Sequence, residues 1–168
     1  GGDQIYGESI TTRRWELIGQ YQLPTTENML LSFSFNEHYQ NSVYGDVSYI
    51  GDQKIAFTQL TWEPVFGKHG LLVGSALRYT YYDDNTPATG GEVTDPNNDP
   101  DEIWLPGIFI QDEIQLDRAH KLLLGMRYDY NNNHGNIFTP RMAYKWSITE
   151  NDILRINAGT GFRVVNLF

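Results

Sequence analysis

A chain of 168 residues, 40% of them hydrophobic, is long enough to bury a core of its own. Its net charge of -9 argues against nucleic acid as a partner, because phosphate binding needs clustered Lys and Arg, and the absence of cysteine excludes disulfides, thiolate metal sites and cysteine nucleophiles. No run approaches the roughly 18 apolar residues of a transmembrane helix, which still leaves a barrel open, since its strands show lipid only every second residue.

Taken in order, Gly1 to Ile10 reads as a loop or strand end, rich in Gly and polar residues. From Thr11 the chain alternates, with Trp15, Leu17, Gly19, Tyr21 and Leu23 on one face and Arg14, Glu16, Gln20 and Gln22 on the other. Period two is the signature of an extended chain whose two faces differ. A short turn from Pro24 to Asn28 ends this strand. The second strand sets Leu31, Phe33, Phe35 and Tyr39 against Ser32, Ser34, Asn36 and His38, and Gln40 to Gln53 reads as a long polar loop. Lys54 to Glu63 forms a third strand, its faces poorly separated, with Ala56, Thr58, Leu60 and Trp62 as the outward row.

The tight turn PVFGKHG leads to a fourth strand with Leu71, Val73, Leu77, Tyr79 and Tyr81 outward and Gly74, Ala76, Arg78 and Thr80 inward. Asp83 to Glu102 is a long loop with three Pro, three Asn and a Gly pair. A fifth strand, Gly107 to Leu116, places Ile108, Ile110, Ile114 and Leu116 opposite Gln111, Glu113 and Gln115. Asp112 falls on its apolar row, a costly position if that row meets lipid.

The last third alternates most clearly. Leu122, Leu124, Met126, Tyr128 and Tyr130 form one row, then Phe138, Met142, Tyr144 and Trp146, then Leu154, Ile156, Ala158 and Phe162. The polar rows opposite carry Arg127, Asp129, Arg141, Lys145, Arg155 and Arg163. The predicted fold is all-β: an antiparallel up-and-down meander of eight strands, part of a larger transmembrane β-barrel. Short turns are expected to alternate with long loops, NNNHGN (131–136) lying on the long-loop side and SITEND (147–152) on the short-turn side. Aromatic residues make up 14% of the chain, enough for two girdles. Trp15, Tyr39, Tyr79, Tyr81, Tyr128 and Tyr130 are expected at the outer rim, and Leu23, Trp62, Tyr144 and Trp146 at the inner one.

The block GMRYDYNNNHGNIFTPRMAYKW followed by LRINAGTGFRVVNLF resembles the barrel of TonB-dependent outer-membrane receptors. The matching positions are Gly125, Arg127, Asp129, Gly135, Pro140, Arg141, Gly159, Gly161, Phe162 and Arg163, and GIFIQDEIQL resembles the strand that precedes this block. Val165 departs from the family, which more often has Pro there. The resemblance implies a plugged barrel of about 22 strands in the bacterial outer membrane. It also implies energy-coupled uptake of a scarce nutrient such as a ferric siderophore, haem or cobalamin. The implied partners are outer-membrane lipid, a plug domain of the same receptor and a TonB-type coupling protein acting through that plug. Because the chain opens without a signal peptide, it is expected to be a stretch of a longer one, with plug and remaining strands elsewhere. The alternative is a self-contained eight-stranded barrel, in the membrane or around a small ligand.

Candidate ligand contacts at the outer end are His38, Tyr44, Tyr49, Trp104 and His134. The loop after the fourth strand carries Asp83, Asp84, Asp95, Asp99 and Asp101 among seven acidic residues with no Lys or Arg. Clustered carboxylates suit calcium, the one candidate cofactor, although Pro100 and Pro106 break the EF-hand pattern and a solvated acidic loop is the plainer reading. The four histidines stand singly, and no nucleophile elbow, His-Glu-x-x-His or phosphate-cradling loop occurs, so no enzyme is predicted.

Overall fold

The computed structural model describes residues 7–90 and 96–163. Its strands are β1 (Glu8–Gln22), β2 (Met29–Tyr44), β3 (Val47–Trp62), β4 (Val65–Phe66), β5 (His69–Asp84), β6 (Asp101–Gln115), β7 (His120–Asn131), β8 (Gly135–Ser147) and β9 (Ile153–Gly159). One 3₁₀ turn, Pro87–Thr89, stands between β5 and β6. Eight of the strands are those predicted; β4 is a two-residue piece that pairs Val65 with Gly70 and Phe66 with His69. The sheet order is β1-β2-β3-β5-β6-β7-β8-β9, a meander in which each long strand pairs with the next. The path runs from β1 at one end to β9 at the other.

The long loop expected from Gln40 to Gln53 does not exist. β2 and β3 run through those residues and turn at Gly45 and Asp46, where Gly45 takes φ +62°. A residue with a Cβ adopts that left-handed geometry only at a cost, and a two-residue hairpin needs it. The pattern misled because Gln40, Asn41, Ser42 and Gln53 are polar. The backbone ladder of β2 and β3 continues where the apolar alternation has stopped. NNNHGN is likewise tight, with Asn131 pairing with Gly135. Strict alternation of short and long connections therefore fails; the one long connection among these is 85–100, narrower than expected because β5 reaches Asp84 and β6 begins at Asp101.

Cα packing divides the chain into two compact units. The first comprises residues 1–19, 33–58 and 78–104. It contains the β2–β3 turn and the β5–β6 connection, and it buries Ser42, Tyr82, Asp83, Asp84 and Thr89. The second comprises residues 20–32, 59–77 and 105–168 and holds β7, β8 and β9 entire. There β7 meets the period-two expectation, while β9 is exposed at every position. Leu124, Met126, Tyr128 and Tyr130 on β7 are exposed, whereas Asp129 and Asn131 on the opposite row are fully buried. Ile108, Ile110, Phe138, Met142 and Ile156 continue the exposed row. A soluble sheet would cover such a stripe, because contiguous exposed apolar area of this kind marks an interaction surface. Leu60 and Trp62, two of the four residues expected in the outward row of β3, share an apolar groove of about 460 Å³ with Val73, Ile108, Ile110, Met126 and Tyr128.

Asp112, the misfit on the apolar row, has a partner that the sequence does not reveal. It pairs across the ladder with Leu124, and its Oδ2 lies 2.7 Å from His69 Nδ1. His69 opens β5, so the pair stands near the strand end, where charge is tolerated better than at mid-bilayer.

Candidate functional site

The second unit shows what the Gly-x-Arg-x-Asp pattern does. Residues two apart in a strand point the same way, so Arg127 and Asp129 share a face. Arg127 Nε donates to Asp129 Oδ2 at 2.7 Å and its Nη2 to Oδ1 at 2.6 Å, a bidentate pair in which the carboxylate is fully buried. Gly107, opposite Asp129, makes room for that carboxylate: a Cβ there would overlap Asp129 Oδ1. Arg141 lies between two glycines, pairing with Gly125 on one side and Gly159 on the other. An added Cβ at Gly125 would be 2.8 Å from Arg141 Cγ, so the long side chain lies flat over the bare backbone. Asn131 closes the β7–β8 turn by accepting from the amides of Asn133 (2.8 Å) and His134 (3.1 Å).

The same face carries a row of cations. Lys121 pairs with Lys145, and Lys145 with Arg155. Like charges directly opposite one another repel, and Lys121 has a carboxylate in reach, Glu113 at 2.5 Å. Lys121, Lys145, Arg155 and Glu113 line a hollow of about 100 Å³. The sequence placed Lys145 and Arg155 on the inward row but not in register with each other, because register is a property of strand pairing.

In the first unit, the acidic residues divide. Asp84 is a structural anchor. Its Oδ1 accepts from Thr86 N (2.9 Å), Thr86 Oγ1 (2.7 Å) and Thr89 Oγ1 (3.0 Å), and its Oδ2 from Tyr82 Oη (2.5 Å). Burial raises the pKa of this carboxyl, but the hydrogen bonds from Tyr82, Thr86 and Thr89 outweigh it and hold the group below the usual carboxylate range. Asp83 is 2% exposed, and its Oδ2 accepts from Asn98 Nδ2 (3.1 Å) and Tyr81 Oη (3.3 Å). Asp99 and Asp101 do not join them in a metal-ligating group, and Asp95 lies outside the described residues. Among the described residues no three His, Asp or Glu side chains converge as metal ligands.

The predicted ligand contacts are scattered. Tyr44 and Tyr49 stand on strands, not in a loop: Tyr44 ends β2, and Tyr49 Oη lies 2.9 Å from Tyr82 Oη. His38 is half-buried within β2. Trp104 belongs to β6, and its ring packs 4.6 Å from that of Tyr79 in a tilted pair. His134 is exposed in the β7–β8 turn of the second unit.

An antiparallel up-and-down wall, apolar and exposed on one face, polar and ion-paired on the other, defines a segment of an outer-membrane-type β-barrel. The TonB-dependent receptor-like β-barrel family matches residues 4–168, and the chain belongs to that family. Among solved structures, a point mutant of the ferric enterobactin receptor PfeA of Pseudomonas aeruginosa superposes with a TM-score of 0.66 at 13% identity. That likeness covers 89% of this chain and 25% of that one. The siderophore receptor PirA of Pseudomonas aeruginosa gives 0.65 at 10% identity, covering 95% of this chain and 28% of that one. The chain thus spans little more than a quarter of the length of these receptors, and identities this low speak to fold alone. No curated protein is significantly similar to it. Family and structural relatives are transport receptors, not enzymes.

Proposed function

We propose that this chain forms part of the wall of an outer-membrane receptor that takes up a scarce, bulky nutrient, with release driven by a TonB-type protein acting through a plug. The observation that supports this most is the pairing of a family match over residues 4–168 with an apolar row exposed along β6 to β9. That row meets lipid hydrocarbon in the bacterial outer membrane, and the opposite row faces a wet interior. Lys121, Lys145 and Arg155 give that interior a positive strip, which suits an anionic cargo or an acidic surface of the plug. Of the three nutrient classes, the ferric siderophore is favoured, since both solved relatives are named as siderophore receptors. Candidate contacts to it are His38, Tyr44 and Tyr49 in the first unit, with Trp104 assigned to the membrane girdle beside Tyr79.

The test is uptake of labelled ferric siderophores, haem and cobalamin by cells with and without the gene. Gene-dependent accumulation of a ferric siderophore, abolished when the proton gradient is dissipated, is expected. Uptake of none of the three, or uptake indifferent to the gradient, overturns the proposal.

A further inference from the structure

The apolar face of the second unit is not smooth. On β5 the outward row reads Leu71, Val73, Ser75 and Leu77, so a small side chain stands among branched ones. Gly74 beside it has no side chain, and the resulting notch is walled by Leu60 and Trp62 of β3, Ile108 and Ile110 of β6 and Tyr128 of β7. This is the groove of about 460 Å³. At the roughly 30 Å³ that a water-sized group takes up in a liquid, it has room for about fifteen such groups, the size of one acyl chain.

The two ends of the groove differ. At one, the Tyr128 hydroxyl is engaged by Asn136 Oδ1 at 2.7 Å, a neutral pair. At the other, where β2 begins with Met29 and β3 ends with Trp62, the indole N–H of Trp62 donates to Glu27 Oε2 at 3.1 Å. Glu63 follows Trp62 and accepts from Asn28 Nδ2 at 3.0 Å, while Lys68, in the β4–β5 turn, gives its ammonium to the Leu116 carbonyl at 3.1 Å. Glu27 and Glu63 are both exposed, so this mouth is acidic. An occupant that suits a groove apolar along its length and acidic at one end is an amphiphile with a single hydrocarbon chain in the groove and a cationic group at its head. We propose that the groove holds one acyl chain of a phospholipid whose headgroup ammonium sits against Glu27, which rests on the reading of this face as the lipid-facing wall. Lipid tails are as apolar as the side chains they meet, so the hydrophobic effect does not select the chain. Contact does, because an unfilled groove leaves its lining without van der Waals partners, and the charge at the mouth adds to it.

The test uses the full-length protein, extracted from membranes and exchanged exhaustively into detergent. Phosphatidylethanolamine and phosphatidylglycerol with matched chains are supplied in equal amounts, and bound lipid is read by native mass spectrometry. One retained phosphatidylethanolamine per barrel is expected, preferred over phosphatidylglycerol by about threefold, the scale of an exposed charge pair. Ser75→Trp fills the notch and should abolish retention, whereas Ala158→Trp, on the outward row of β9, should leave it intact. Glu27→Lys should turn the preference toward phosphatidylglycerol, a change that misfolding cannot produce. No retained lipid, retention indifferent to Ser75→Trp, no headgroup preference, or a second copy of the chain as the bound partner overturns the proposal. A protein that then still leaves the membrane pellet only with detergent keeps the lipid-facing wall; one released without detergent overturns both.

Discussion

The wall from Gly107 to Arg163 and the outer end from Tyr81 to Asp101 both hold charge in a sheet, and they do it by different means. In the wall, Arg127 and Asp129 neutralise each other two residues apart, and glycines at 107, 125 and 159 give the long side chains room to lie flat. At the outer end, Asp84 keeps its charge without a cation, held by three donor side chains and a backbone amide. The first device is written in consecutive residues and recurs as a motif. The second is assembled by a turn, so its partners lie at irregular spacings. That is why one region looks like a family signature and the other looks like a solvated acidic loop.

The comparison can be broken most severely at Arg127. Replacing it with Gln leaves Asp129, fully buried, without its partner. Breaking a buried pair costs about 3–5 kcal/mol, and since the Arg127 side chain is one-third exposed, about 2–4 kcal/mol is expected here. Urea unfolding of the full-length protein in lipid or detergent measures it, and a loss below about 0.5 kcal/mol, the scale of a surface change, would reduce the pair to decoration.

Asp84→Asn probes the other device. Losing the charged acceptor should cost about 1–3 kcal/mol, confined to the connection. The sign of its pH dependence follows from the depressed folded pKa. The stabilisation is fully present above the unfolded value of about 4 and is lost as pH falls through the lower folded value. Hydrogen-exchange protection at Thr86, Ala88 and Thr89 should therefore hold from neutral pH down to about 5 and decline below about 4. In Asp84→Asn that acid-dependent decline should vanish; if it persists unchanged, some other carboxyl is responsible.

The smallest effect is expected at the β2–β3 turn, which replaces an expected loop. Gly45→Ala forces a Cβ into φ +62° and should cost about 1–2 kcal/mol. A neutral result in the same unfolding assay would mean that the turn is loose and that the polar stretch from 40 to 53 behaves as the loop its composition suggests.

Much of the fold was legible because a barrel wall is a local pattern. Leu122 to Tyr130 and Phe138 to Trp146 declare strand and the division into two faces by alternation alone. The places that misled share a cause. Gln40 to Gln53 and Asn131 to Asn136 are polar strand ends joined by tight turns, where side-chain polarity does not report backbone pairing. Trp104 read as a loop residue because β6 begins before its apolar run does, and Asp112 read as an error because His69 is remote in sequence. The candidate contacts Tyr44 and Tyr49 were identified as aromatic and near the outer end, but not as strand residues.

By itself the sequence determined the class of protein, since exposing every second residue to lipid imposes period two and the Gly-Arg-Asp signature follows from packing within one face. Only tertiary structure decided which charges meet. Lys121, Lys145 and Arg155 become a row through strand register, which depends on turn geometry and backbone pairing and leaves no mark on any single segment.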